Sequence, residues 1–317
     1  MLDSESLLVS QRAGPAPNKP AIVLFDVLLF VALFAQLGLI AIVRFSRLER
    51  MKSWYLLLIT STAFCASFLL LVGHQTGREP PANFCTFSAG LIYAGPPMIS
   101  AAALFLVIEL HLRLTSVLFG RKISSSFIYW AVGGVAVSQG IPFWMALTIG
   151  LSDTAVIRRD PGGVYCHVVG SEVPTWLTAC FVLGYGIVML GMEVTTARHL
   201  FQQRKSIRPS KVPVRVRSSD FPIHLFMRTV LFTLTGIFAM VTTLVMNVVD
   251  FNNSSFSLLP IIPLAVVVIF GTQEDILRVV FCCQRQRRFD PATAAEDRRV
   301  GGDGGLGAKK ESDSSAV

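Results

Sequence analysis

Cys85 opens a long apolar stretch and Cys166 lies within the polar segment 151–172. If both face an oxidising compartment they can form a disulfide that pins that segment across whatever lies beneath it. Two free thiols are the competing reading. Cys65 and Cys180 sit inside apolar stretches and read as small packing residues. The other reactive residues are ionic. Glu109 and Arg113 are four apart, hence on one helix face, while Glu193 and Arg228 each border an apolar stretch. Opposite charges at the rims of adjacent helices would pair as an ionic latch; otherwise each marks where a helix leaves an apolar medium. The histidines (His74, His111, His167, His199 and His224) are scattered without ligand spacing. No HExxH, Walker or GxSxG motif occurs. No catalytic residues, metal or cofactor are expected, so the chain is not read as an enzyme.

Composition says what must position these groups. Of 317 residues, 52% are hydrophobic and only 15% charged, with a mean hydropathy of +0.59. A soluble domain carries about 25% charged residues to wet its surface. An ordinary cytosolic enzyme and a disordered regulator are both excluded, and a polytopic membrane protein remains. Six cysteines are too few for a secreted disulfide scaffold. A membrane-spanning helix takes about 20 mostly apolar residues. Seven stretches qualify: 21–43, 54–72, 85–112, 127–150, 173–192, 229–249 and 256–270, the last being short. The first lacks the small-residue cleavage site of a signal peptide. No internal repeat supports an inverted-repeat transporter.

Orientation follows from the basic residues. Arg12, Lys19, Arg78, Arg158 and Arg159 fall on one side of these spans and twenty-two Lys and Arg on the other. The positive-inside rule therefore predicts an outer N-terminus, a cytosolic C-terminus and an odd number of spans. Cys85 and Cys166 then share the oxidising side. The expected organisation is a disordered outer segment 1–20, a transmembrane domain 21–271, an amphipathic interfacial helix 272–283 and a disordered cytosolic tail 284–317. The interfacial helix rests on Thr272 and Asp275 as a capping box, followed by apolar Ile276, Leu277, Val280 and Phe281 on one face. Cys282 and Cys283 beside it are candidate palmitoylation sites. Asn252 and Asn253 head overlapping N-x-S sequons on the outer side and are candidate glycosylation sites.

Prolines fall within several spans: Pro96 and Pro97 in the third, Pro142 in the fourth, Pro260 and Pro263 in the seventh. Each removes a backbone donor and is expected to kink its helix. Gly133, Gly134, Gly184, Gly186 and Gly191 read as close-packing positions between helices. Asp26, Gln36 and Gln139 are too few to line a polar path through a bundle.

Seven spans, an outer N-terminus, a cysteine atop the third span, a second in the next outer loop and a helix after the seventh together resemble the G-protein-coupled receptor architecture. The segment IFGTQEDILRVVF looks like the end of the last span in fungal seven-helix receptors, including the pheromone-receptor group. The architectural likeness covers residues 21–283, the motif only the end. Glu109-Leu110-His111 departs from the Asp/Glu-Arg-Tyr triplet of rhodopsin-like receptors, and the seventh span lacks Asn-Pro-x-x-Tyr. The resemblance implies a divergent receptor in the plasma membrane. It would bind an extracellular small molecule or peptide and signal through a heterotrimeric G protein, with the lipid bilayer as its other partner and no nucleic acid. The alternative is a seven-helix transporter or lipid-handling protein without G-protein coupling. A retinal protein would require a lysine in the seventh span, and 256–270 has none.

Overall fold

The computed structural model describes residues 19–46, 50–119, 124, 126–160, 162–207, 223–248, 259–273 and 276–277. Candidate sites Asn252, Asn253, Cys282 and Cys283 lie outside the described residues. So do 1–18, Asp275 and the tail from 278 onward.

Seven α-helices are described: α1 (Lys19–Phe45), α2 (Lys52–Leu69), α3 (Ala82–Phe119), α4 (Phe127–Ser152), α5 (Val173–Ile207), α6 (Ile223–Val248) and α7 (Ile261–Gly271). Between α4 and α5 lies one antiparallel hairpin, β1 (Ile157–Arg159) with β2 (Cys166–Val168), in which Arg158 faces His167. Four helical segments are long and apolar enough to cross a membrane: Lys19–Phe45, Ala82–Ser116, Phe127–Ser152 and Val173–His199. Their surfaces say the same. Along α1, Ile22, Phe25, Leu29, Ala32, Gln36, Leu39 and Val43 recur every three or four residues and are buried. On the other side Val23, Leu24, Val27, Val31 and Phe34 are exposed. An apolar face turned outward as well as inward belongs in lipid, not water. In α4, Tyr129, Trp130 and Trp144 are likewise exposed, as are Leu183, Ile187 and Val188 in α5. Apart from the hairpin the described fold is helical, and its apolar helices are those of a membrane protein by length and composition.

α3 is the central element, packed against α2, α4 and α5. Ala101, Ala102 and Ala103 are buried, and small side chains let neighbouring backbones approach. Gly95 lies under the Phe64 ring and Gly134 under Phe105, so a Cβ at either would meet an aromatic ring. Gly133, Gly184, Gly186 and Gly191, by contrast, have nothing within 4 Å of an added Cβ. For them close packing is not what the structure shows; they lie where neighbours leave room.

The helices run past the apolar stretches that announce them. α3 continues to Phe119 and α5 to Ile207. At 1.5 Å per residue α3 is about 57 Å long, against a hydrocarbon core of roughly 30 Å. Pro96, Pro97 and Pro142 lie inside continuous helices. Pro260 and Pro263 do not. Pro260 is the N-cap of α7 and Pro263 lies in its first turn, where backbone N–H groups have no intrahelical acceptor to lose. Those two prolines start a helix rather than kink one. Thr272 ends α7, its hydroxyl donating to the Val268 carbonyl at 2.7 Å; Asp275, the other half of the expected capping box, lies outside the described residues. Ile276 and Leu277 are helical, and their N–H groups donate to the Gln273 carbonyl at 2.9 Å.

Candidate functional site

One end of the bundle carries a built cap. Cys85, at the start of α3, is disulfide-bonded to Cys166 of β2, with Cα atoms 5.5 Å apart, so β2 is fastened over the mouth of the bundle. Ile157, Cys166 and Val168 bury against Leu71, Ala89 and Cys85, forming a second small core beneath the hairpin. Polar groups complete the fit. The Val168 N–H donates to the Tyr93 hydroxyl at 3.3 Å, and Thr178 of α5 donates to the Tyr93 carbonyl at 3.0 Å. Arg159 donates to the carbonyls of His74 (2.8 Å) and Gly77 (3.1 Å) in the turn after α2. Gln75 of the same turn donates to Asp26 of α1 at 2.7 Å. Four stretches of chain distant in sequence thus converge: the start of α1, the α2–α3 turn, the hairpin and the start of α5.

The hairpin's own turn is tightly specified. The Asp160 N–H donates to the Tyr165 carbonyl and the Gly163 N–H to the Asp160 carbonyl, both at 2.8 Å. The Asp160 carboxylate accepts from the Gly162 N–H at 2.6 Å. Gly163 has φ of +81°, and a Cβ there would sit 2.5 Å from the Gln75 carbonyl. Only glycine fits that left-handed close approach. Burial pushes the Asp160 carboxyl up to about 6, the Gly162 N–H opposing it. Burial also raises the Tyr165 phenol, with the Asp160 charge adding to it, and lowers the His167 imidazole. The Nδ1 atom of His167 is buried without a hydrogen-bond partner.

The opposite end holds the expected ionic residues, but apportions them differently. Glu109 of α3 is buried, accepting from the Ser53 hydroxyl (2.6 Å) and N–H (3.1 Å), and from Arg113 through Nε (3.0 Å) and Nη2 (2.8 Å). It therefore serves the first turn of α2, whose orphan N–H groups and dipole favour a carboxylate. Glu193 of α5 is buried and accepts from the Thr233 hydroxyl of α6 at 2.8 Å. Arg228 of α6 donates to the Ile269 carbonyl at 2.8 Å and the Thr272 carbonyl at 2.7 Å, satisfying the C-terminal end of α7. The expected pairing of Arg228 with Glu109 or Glu193 is thus not among these contacts. A helix C-terminus offers a cation several carbonyls at once, whereas both acids already have donors. The Glu109–Arg113 pair forms as expected, at 2.8 Å.

Between the two ends lies a polar knot that the sequence did not announce. Gln36 of α1, fully buried, donates to Ser61 of α2 (2.8 Å) and to the Pro263 carbonyl of α7 (3.1 Å), and accepts from Thr62 (3.0 Å). Pro263 follows Pro260 by three residues at the start of α7, so its carbonyl stands at that helix's first turn. A buried Gln at helix spacing among apolar residues was the available signal. Asp160 was overlooked too; the Asp-Pro-Gly-Gly run from 160 to 163, a turn signal, could have marked it.

No protein-family model matches the chain, and no curated protein matches it in sequence.

Proposed function

We propose that the chain is a G-protein-coupled-receptor-like seven-helix receptor in the plasma membrane, N-terminus outside and C-terminus cytosolic. It would sense an extracellular small molecule or peptide and signal through its inner loops to a heterotrimeric G protein. The observation that carries this reading is the Cys85–Cys166 bridge, which fixes a folded hairpin over one mouth of the bundle. On this reading the covalently fastened cap faces outward and would frame the entrance for a ligand. Alternation of helix ends supports the count of spans: the starts of α1, α3 and α5 meet the cap, while Ser53, Glu109, Glu193, Arg228 and Thr272 gather at the far end. α2, at 18 residues, reaches about 27 Å, close to a bilayer's hydrocarbon thickness. On this reading α6 and α7 complete the seven, and a short interfacial helix begins near Ile276. The likeness of IFGTQEDILRVVF to fungal seven-helix receptors belongs to the same proposal.

The test is nucleotide exchange on a purified heterotrimeric G protein by the full chain in lipid nanodiscs, across a panel of small molecules and peptides. At least one ligand class should raise exchange, and Cys166→Ser should blunt that response. Solute uptake into proteoliposomes with no effect on nucleotide exchange would instead make the chain a transporter.

A further inference from the structure

We propose that His111 of α3 and His199 of α5 form a two-imidazole binding site for a divalent first-row transition metal ion, zinc(II) being the reference case. Their ring centroids are 6.4 Å apart. What makes the pair more than a packing contact is Thr196. Its hydroxyl has one proton, given to the Met192 carbonyl at 2.7 Å. The same oxygen lies 2.7 Å from His111 Nδ1. With that proton on the Met192 carbonyl, Thr196 accepts at its other contact, which selects the tautomer with hydrogen on Nδ1 and the lone pair of the neutral ring on Nε2. That is how metal-binding histidines are prepared, one ring nitrogen held by a protein acceptor and the other left as ligand. Thr196 and His199 are three residues apart and share a face of α5. One turn of α5 thus supplies both the group that orients His111 and the second ligand.

The site is reachable. Thr196 is buried, while His199 is exposed and His111 is intermediate. Zinc–nitrogen bonds of about 2.0–2.1 Å at tetrahedral angles put two ligand rings roughly 5–5.5 Å apart. The observed separation closes to that by about 1 Å, within a rotation of the exposed His199 side chain. Glu109, two residues before His111, is directed to Ser53 and Arg113 and stays out of the coordination shell. Among the described residues no group of three or more His, Cys, Asp and Glu gathers, so water completes the ion's shell. A bound ion would tie α3 to α5, whatever ligand or partner the protein has.

Zinc titration of the metal-stripped full chain in detergent, against His199→Ala and Thr196→Val, tests this. His199→Ala changes an exposed side chain, and its metal-free melting temperature should match that of the wild type. It should lose at least tenfold in the affinity of one zinc site. Thr196→Val keeps both imidazoles and should lose about 10–100-fold. Copper(II) bound to the wild type should show two coordinated nitrogens by electron paramagnetic resonance, and one in His199→Ala. Unchanged zinc affinity together with an unchanged copper spectrum in His199→Ala would overturn the site.

Discussion

Asp160 and His167 make the cap sensitive to pH in opposite directions. Burial raises the Asp160 carboxyl from 3.8 to about 6, so its contribution to hairpin stability is full below pH 3.8 and lost as pH rises through about 6. His167 is pushed below 6.5, so its contribution is full above 6.5 and lost as pH falls. Asp160→Asn should abolish the first effect alone, leaving a hairpin that only tightens as pH rises toward 6.5. Amide hydrogen exchange across 157–168 measures it, and an unchanged profile in the variant would refute the burial account. Arg228 makes the second residue-scale case. Its two hydrogen bonds hold α6 to the end of α7. Charge-assisted bonds contribute about 1.5–3 kcal/mol each when fully buried; at this partly exposed rim about 1 kcal/mol is apt, or roughly fivefold in a two-state equilibrium. On the receptor reading, Arg228→Ala should raise ligand-independent nucleotide exchange a few-fold. Because Glu193 has a separate partner in Thr233, Arg228→Ala and Glu193→Ala should act additively. A clear departure from additivity would instead point to a direct Arg228–Glu193 ion pair.

Between elements, the tie that matters most is Gln36. It joins α1 to α2 and α7 across 227 residues of sequence to Pro263. Gln36→Leu should lower stability by about 1–2 kcal/mol, since hydrogen bonds between membrane helices average about 0.6 kcal/mol and this side chain makes three. Thermal unfolding in detergent reads the loss; a Leu variant as stable as the wild type would make the knot incidental. The disulfide, closing a span of 81 residues, is worth about 2–4 kcal/mol. Mass spectrometry of non-reduced peptides should recover Cys85 joined to Cys166, and Cys166→Ser should melt correspondingly lower. Helix positions were largely legible, because apolar runs long enough to span a bilayer have few other uses. Their ends were not. Beyond Leu112 and Met192 the chain turns polar while good helix formers continue, so α3 and α5 extend past the hydropathy signal. The Cys85–Cys166 bridge was legible because both cysteines fall on the side poor in basic residues. The hairpin was hidden, since two three-residue strands leave no alternation to read, and so were Arg228's acceptors, because backbone carbonyls carry no sequence signature.

Across the whole molecule, the proposed receptor function, with its ligand entrance and G-protein face, depends on a single expectation, that the chain crosses the bilayer an odd number of times with the cap outside. Basic residues favour that orientation, and outward-facing apolar surfaces on α1, α4 and α5 suit these helices to lipid. Epitope tags at the N-terminus, within 169–172 and at the C-terminus, read on intact and on permeabilised cells, decide the matter. The N-terminal and 169–172 tags should be stained on intact cells, and the C-terminal tag only after permeabilisation. A C-terminal tag stained on intact cells would contradict the cytosolic C-terminus, and the receptor reading with it; both terminal tags stained on intact cells would contradict the odd number of spans as well.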